Sequence, residues 1–170
     1  MPTWPRMAFG ALLLTLTASA EALCTYRGVN NARTSIGQEY ADAHWVIRAR
    51  VLSATNGVVE AGKPDAGMPW TTYRLQVIHA YKGQPPQQIT FFTQRNSGGF
   101  YLDRPWVPLP QGHDIGGEYL LFLNPIRPYR GQPRAERGTA FVNYNCGQSR
   151  PWREVSAASR RLLASLSARR

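Results

Sequence analysis

The middle of the chain is a succession of short segments in which apolar residues recur at every second position, with no helical repeat between them. In HWVIRARVLSA (44–54), Trp45, Ile47, Ala49 and Val51 alternate with His44, Val46, Arg48 and Arg50, the pattern of a half-buried strand. TTYRLQVIHAYKG (71–83) repeats it, with Tyr73, Leu75, Val77 and His79 on one side and Thr72, Arg74, Gln76 and Ile78 on the other. Gly83 ends that strand and Gln84-Pro85-Pro86 turns the chain. QITFFT (88–93) is a third strand; EYLLFLNP (118–125) is continuously apolar, as in a strand buried on both faces; RGTAFVNYN (137–145) is a fifth. Five strands without helical crossovers predict a mainly β fold with an antiparallel sheet, and closure into a barrel hides the edges of such a sheet in a small domain.

The remaining segments fit around that core. The polar stretch 25–40 and a short turn at Ala41–His44 lead into the first strand, residues 56–69 form a mobile loop, and 96–117 is a long irregular stretch bounded by Gly pairs. Thirteen Pro and fifteen Gly in 170 residues suit a loop-rich single domain and exclude a helix bundle. From Trp152 the period changes: Trp152, Val155, Ala158, Leu162, Leu163 and Leu166 fall at helical spacing. Pro151 suits a first turn, Glu154 the positive end of the dipole, and Arg160, Arg161, Arg169 and Arg170 the outer face and C-terminus. This apolar face either packs on the barrel or lies on an anionic membrane; its modest extent favours packing. The expected organisation is a barrel over 23–150 followed by an amphipathic helix over 151–170.

Residues 1–22 read as an address. Arg6 gives a positive start, Ala8–Leu16 an apolar run about half the length of a membrane span, and Ala18-Ser19-Ala20 and Ala20-Glu21-Ala22 two small-residue cleavage sites. A cleaved signal peptide places the mature chain in the periplasm or outside the cell, with no membrane-spanning segment left. Leu23 before Cys24 does not suit lipidation, which wants a small residue there. In an oxidising compartment the two cysteines, Cys24 and Cys146, read first as a disulfide. The rival readings, a reactive thiol or a metal ligand, lack a neighbouring base and further ligands in the sequence.

The order of these pieces resembles the bacterial relatives of the tissue inhibitor of metalloproteinases, a netrin-like group of OB-fold domains. The residues that carry the resemblance are Cys24-Thr25-Tyr26, YADAHWVIRARV (40–51), TYRLQVIHAYKG (72–83), GGEYLLFL (116–123) and NYNCG (143–147), spread over residues 24–150. It implies a five-stranded OB-type barrel. Two departures stand out. Asn96-Ser97-Gly98-Gly99 occupies the place where these relatives carry another Cys, so only Cys24 and Cys146 can pair. The family's inhibitors also chelate a protease's zinc through the free amine and carbonyl of an N-terminal Cys, whereas cleavage after Ala22 leaves Leu23 ahead of Cys24.

No phosphate loop, nucleophile elbow or zinc-helix motif occurs, and the reading is of a protein without catalytic residues, cofactor or metal. His44 and His79 fall within strands. His113-Asp114 is the best general-base or metal candidate, but two adjacent side chains do not make a site; Asp103-Arg104 reads as a local ion pair. Trp70, Trp106 and Phe100-Tyr101 are core plugs or exposed contacts.

The strongest anomaly is electrostatic. The formal charge is +10, eighteen of the twenty bases are Arg, and RPYRGQPRAER (127–137) holds four Arg against one Glu in the connection between the fourth and fifth strands. Arg127, Arg130, Arg134 and Arg137, with Tyr129 among them, suit phosphate or sulfate groups; a solvated loop tip is the plainer alternative. The function expected is a secreted or periplasmic binding module whose partner is a protein or an envelope polyanion. Nucleic acid does not fit that compartment. The alternative is a metalloprotease inhibitor using the Cys24 edge.

Overall fold

The structure is a computed structural model that describes residues 24–169; the expected signal segment 1–22 with its cleavage sites, Leu23 and Arg170 lie outside the described residues. The described chain opens with a minimal hairpin, β1 (Thr25–Tyr26) and β2 (Val29–Asn30), followed by the helix α1 (Ile36–Asp42). The barrel strands are β3 (Trp45–Val58), β4 (Pro69–Lys82), β5 (Gln88–Gln94), β6 (Glu118–Pro125) and β7 (Ala140–Val142). The short β8 (Arg150–Pro151) pairs with β6, and the chain ends in α2 (Ala157–Ala168).

Strand order runs β3-β4-β5-β7-β6, and β6 pairs back onto β3 from Trp45↔Leu123 to Arg50↔Glu118, closing the sheet. The fold is mainly β, a closed five-stranded barrel with the strand order of an OB-like fold and a C-terminal helix. It is mixed rather than purely antiparallel, because β7 enters between β5 and β6 and meets β5 in parallel at Phe91↔Ala140.

The period-two rows become the barrel interior. Ile47, Ala49 and Val51 of β3, Tyr73 and Leu75 of β4, Ile89 and Phe91 of β5, and Tyr119, Leu121 and Leu123 of β6 form one buried cluster. The other face of β6 is also covered. Leu120 and Phe122 join Val46, Tyr40, Ala43, Val155 and Leu163 in a second cluster beneath the two helices, which explains why EYLLFLNP shows no alternation.

Several boundaries differ from the sequence reading. The polar stretch before the first strand contains α1, started by Ser35, whose hydroxyl accepts from the Gln38 amide at 3.2 Å while Gln38 Oε1 accepts from the Ser35 amide at 2.8 Å. Val46 faces the helical layer rather than solvent. His79 is not on the interior row: Ile78 bulges between the pairs Arg48↔His79 and Ala49↔Val77, so His79 turns outward and meets the Tyr81 ring edge to face. The fifth strand is only Ala140–Val142. The C-terminal helix begins later than Trp152, because Pro151 is extended in β8, Trp152–Glu154 makes a single 3₁₀ turn, and Ser156 caps a new helix by accepting from Ser159. Glu154 therefore does not sit on the α2 dipole. Leu163 is the fully buried anchor of α2, while Leu162 is 44% exposed.

Cys24 and Cys146 form the disulfide, with Cα atoms 6.0 Å apart across 122 residues. It ties the first hairpin to the segment that leaves β7. Glu39, fully buried on α1, holds the same segment: its Oε1 accepts from the Gln148 amide at 2.8 Å and from Thr34. Burial raises the Glu39 carboxyl above its usual range, and the hydrogen bonds from Thr34 and Gln148 offset that only in part.

Replacing both cysteines by serine is expected to cost about 4–5 kcal/mol in the chain-entropy account of so long a loop, read by denaturant unfolding. Because the folded-state pKa of Glu39 is raised, its contribution is most favourable below the unfolded value and is lost as pH rises through the folded one. Glu39→Gln should match the wild type at acid pH and become the more stable protein towards neutrality; thermal unfolding at the two pH values checks the sign.

Candidate functional site

The β6–β7 connection is held by its own backbone hydrogen bonds and by two buried residues. Ile126 donates to the Thr139 carbonyl at 2.8 Å across its base, and Gln132 and Pro133 are buried beneath it. Turns at Gln132→Tyr129, Glu136→Pro133 and Arg137→Arg134 then project Arg127, Arg130, Arg134 and Arg137 outward, all exposed. The Arg134 amide donates to Glu60 Oε1 at 3.0 Å, so this loop leans on the β3–β4 connection. Backbone amides of Glu60 itself and of Arg134 hold the Glu60 carboxyl below the usual range.

The loop's one acid pairs with none of its bases. Glu136 accepts the Tyr129 hydroxyl at 2.8 Å; desolvation and that bond push the Tyr129 hydroxyl up to about 12. Among the described residues no carboxylate lies within ion-pair distance of the four arginines, whereas Arg27, Arg48, Arg50 and Arg95 each meet one. The five residues singled out from the sequence are thus brought together on one exposed loop.

Arg127 also reaches an open cleft of about 1060 Å³ at the end of the barrel, which it lines with His44, Trp45, Lys82, Asn124 and Phe141. Gly83 forms the turn beside it with φ +75, and a Cβ there would sit 2.7 Å from the His44 carbonyl. Lys82 caps the C-terminal end of α1, donating to the carbonyls of Tyr40 at 2.6 Å and Ala41 at 2.8 Å. Phe141 is 42% exposed in the short β7. Neither it nor the cleft had a signal in the sequence, because both depend on where the chain closes the barrel.

At the other candidate edge Cys24 is buried. Its amide donates to Asn31 Oδ1 at 3.2 Å and its carbonyl accepts from the Asn31 amide at 2.6 Å. The two atoms a zinc-chelating inhibitor would present are both turned to Asn31.

His113 does not work with Asp114. Its Nδ1 donates to Asp103 Oδ1 at 2.9 Å, while Asp114 accepts the Tyr119 hydroxyl at 2.9 Å. Asp103 is likewise not paired with Arg104. It receives Arg95 at 2.5 Å and the Tyr73 hydroxyl at 2.7 Å, and Arg95 continues to Thr71 at 2.7 Å and over the Tyr101 ring at 4.5 Å. Arg104 donates instead to the Gln111 carbonyl. Through Tyr73 and Arg95 this network pins the 96–117 strap to the barrel, and the isolated bridge Asp103↔His113 draws the strap's two arms together. Burial raises the Asp103 carboxyl, but bonds from Arg95, Tyr73 and His113 more than offset it and hold it below the usual range. Among the described residues no group of three His, Cys, Asp or Glu is placed to hold a metal.

The loop aromatics divide. Phe100 packs against Phe91 and Tyr119 in the core, and Trp70 is half-buried against Phe92. Trp106 is 99% exposed with φ +66, a left-handed conformation costly for so bulky a residue.

No protein-family model matches the chain, and no curated protein matches it.

Asp103→Asn strands the Arg95 guanidinium, which is 12% exposed, and should cost about 3 kcal/mol at neutral pH. The contribution of Asp103 is present above the unfolded carboxylate pKa and is lost as pH falls through the depressed folded value, so the two proteins should converge in strong acid. Thermal unfolding across pH measures this, and faster hydrogen exchange at the Arg104 and Asp114 amides locates it in the strap.

Proposed function

We propose that the chain is a non-enzymatic binding module of the periplasm or the extracellular space, whose partner is an anionic component of the cell envelope engaged by loop 127–137. The observation that carries this reading is the exposure, within eleven residues, of Arg127, Arg130, Arg134 and Arg137 with no carboxylate in ion-pair reach among the described residues. Guanidinium groups bind phosphate and sulfate through two parallel hydrogen bonds, and Tyr129, 46% exposed among them, offers a ring for stacking on a sugar. By analogy of fold, barrels of this strand order bind oligomeric ligands beside the connection that these arginines occupy.

The disulfide supports an oxidising compartment, and no helix among the described residues is long and apolar enough to cross a membrane. The motifs that resemble the bacterial relatives of the metalloproteinase inhibitor, together with the strand order, support placing the chain with that group. The zinc-chelating form of that activity is not the reading favoured, because the Cys24 amide and carbonyl both bond Asn31.

The wild-type protein is expected to be retained on immobilised heparin or lipopolysaccharide and released by salt. Replacing Arg127, Arg130, Arg134 and Arg137 with Gln should bring it through without retention, while removing Arg33, Arg161 and Arg169 should leave most of the retention in place. Equal loss in the two variants, or no loss in the first, overturns the assignment to this loop.

A further inference from the structure

The strap between β5 and β6 carries a feature that the basic loop does not explain. Eight consecutive residues, Arg104 to Gln111, are exposed, and at their tip Trp106 is 99%, Val107 38% and Leu109 43% exposed. An apolar group of this size on a protein surface calls for something to cover it.

The tip is held rigid. The Arg104 amide donates to the Gly112 carbonyl at 2.7 Å and the Gly112 amide to the Pro108 carbonyl at 2.8 Å. A Cβ on Gly112 would lie 2.2 Å from the Val107 carbonyl, so the knuckle closes only because that residue has none. Its base is fastened by the bond from His113 to Asp103 and, through Asp103, by Arg95 and Tyr73 of the barrel. The backbone at Trp106 is therefore held in its left-handed conformation by the closed knuckle, so little backbone ordering remains to be done on contact.

We infer that this knuckle is a membrane-interface anchor, and that its partner is an anionic lipid surface. Three observations favour lipid over a protein pocket. Pro105, Pro108 and Pro110 have no N–H, so the tip carries few backbone donors that would lose water without replacement on entering an apolar layer. The apolar group is convex, with an indole at its extremity, the side chain that settles at the boundary between headgroups and acyl chains. No acid occurs between Asp103 and Asp114, and the side chain of Arg104 at the foot donates to the Gln111 carbonyl and has no carboxylate in ion-pair reach among the described residues, which leaves its charge for headgroup phosphate. One Trp and two aliphatic side chains hold a membrane weakly by themselves. With the formal charge of +10 they make the second of the two signals that stable attachment requires.

The test is sedimentation with vesicles of phosphatidylcholine mixed with phosphatidylglycerol, against vesicles of phosphatidylcholine alone. The wild type should bind the anionic vesicles more strongly and its tryptophan emission should shift to the blue. Trp106→Asn keeps the left-handed backbone, removes a side chain with no internal contacts to lose, and should lower partitioning about tenfold or more, with the shift gone. Equal binding by the variant would show attachment through charge alone and overturn the inference. Absence of wild-type binding to anionic vesicles would also overturn it, leaving the knuckle to a protein surface.

Discussion

β3 pairs on both of its edges, with β4 along nearly all of its length and with β6 over six consecutive residues, and the rest of the structure depends on that double pairing. A sheet of five strands has edges to protect; closing β6 onto β3 removes them and encloses Ile47, Ala49, Tyr73, Leu75, Phe91 and Leu121 in one interior. The same closure leaves Val46, Leu120 and Phe122 on the outer wall, and α1 and α2 lie there because those residues need cover. The Cys24–Cys146 bridge and buried Glu39 then fasten the start of the described chain to the segment that leaves β7, beside that layer.

The charges are distributed just as unevenly as the sequence hints. Most carboxylates of the described residues are committed to structure. Asp42 holds Arg27, Glu118 holds Arg48 and Arg50, and Asp103 holds Arg95 and the strap. Glu39 bonds backbone and Thr34, and Glu136 bonds Tyr129. With so few acids so placed, the arginines of loop 127–137 keep their charge facing solvent, in one region rather than spread over the surface. The basic loop and the Trp106 knuckle are separate features, one cationic and one apolar, each on a connection held by hydrogen bonds to the barrel or to its neighbouring loop. Such connections between strands are where a rigid scaffold displays binding groups.

The strands were legible in the sequence because period two is a property of neighbouring residues: Trp45 to Val51 and Tyr73 to Val77 show it without knowledge of any partner. It failed at His79, where a bulge at Ile78 inverts the faces, and a bulge is set by the partner strand. The capping box Ser35–Gln38 was written in the sequence, yet α1 has so short an apolar face that periodicity missed it. Pro151 and Trp152 read as a helix start because their spacing suits one; pairing of Arg150 and Pro151 with β6 holds the chain extended there instead.

By itself the sequence determined the barrel interior, the doubly buried strand Glu118–Pro125, the cysteine pair and the arginine cluster, since each rests on residue type and local spacing. Tertiary structure alone decided that β7 runs parallel to β5, that His113 answers Asp103 rather than Asp114, that Phe100 is a core residue and Trp106 a surface one, and that Arg127 borders a cleft with Trp45 and Phe141. Those facts depend on contacts between residues ten to nearly a hundred positions apart. Only the closing of the barrel brings such residues together.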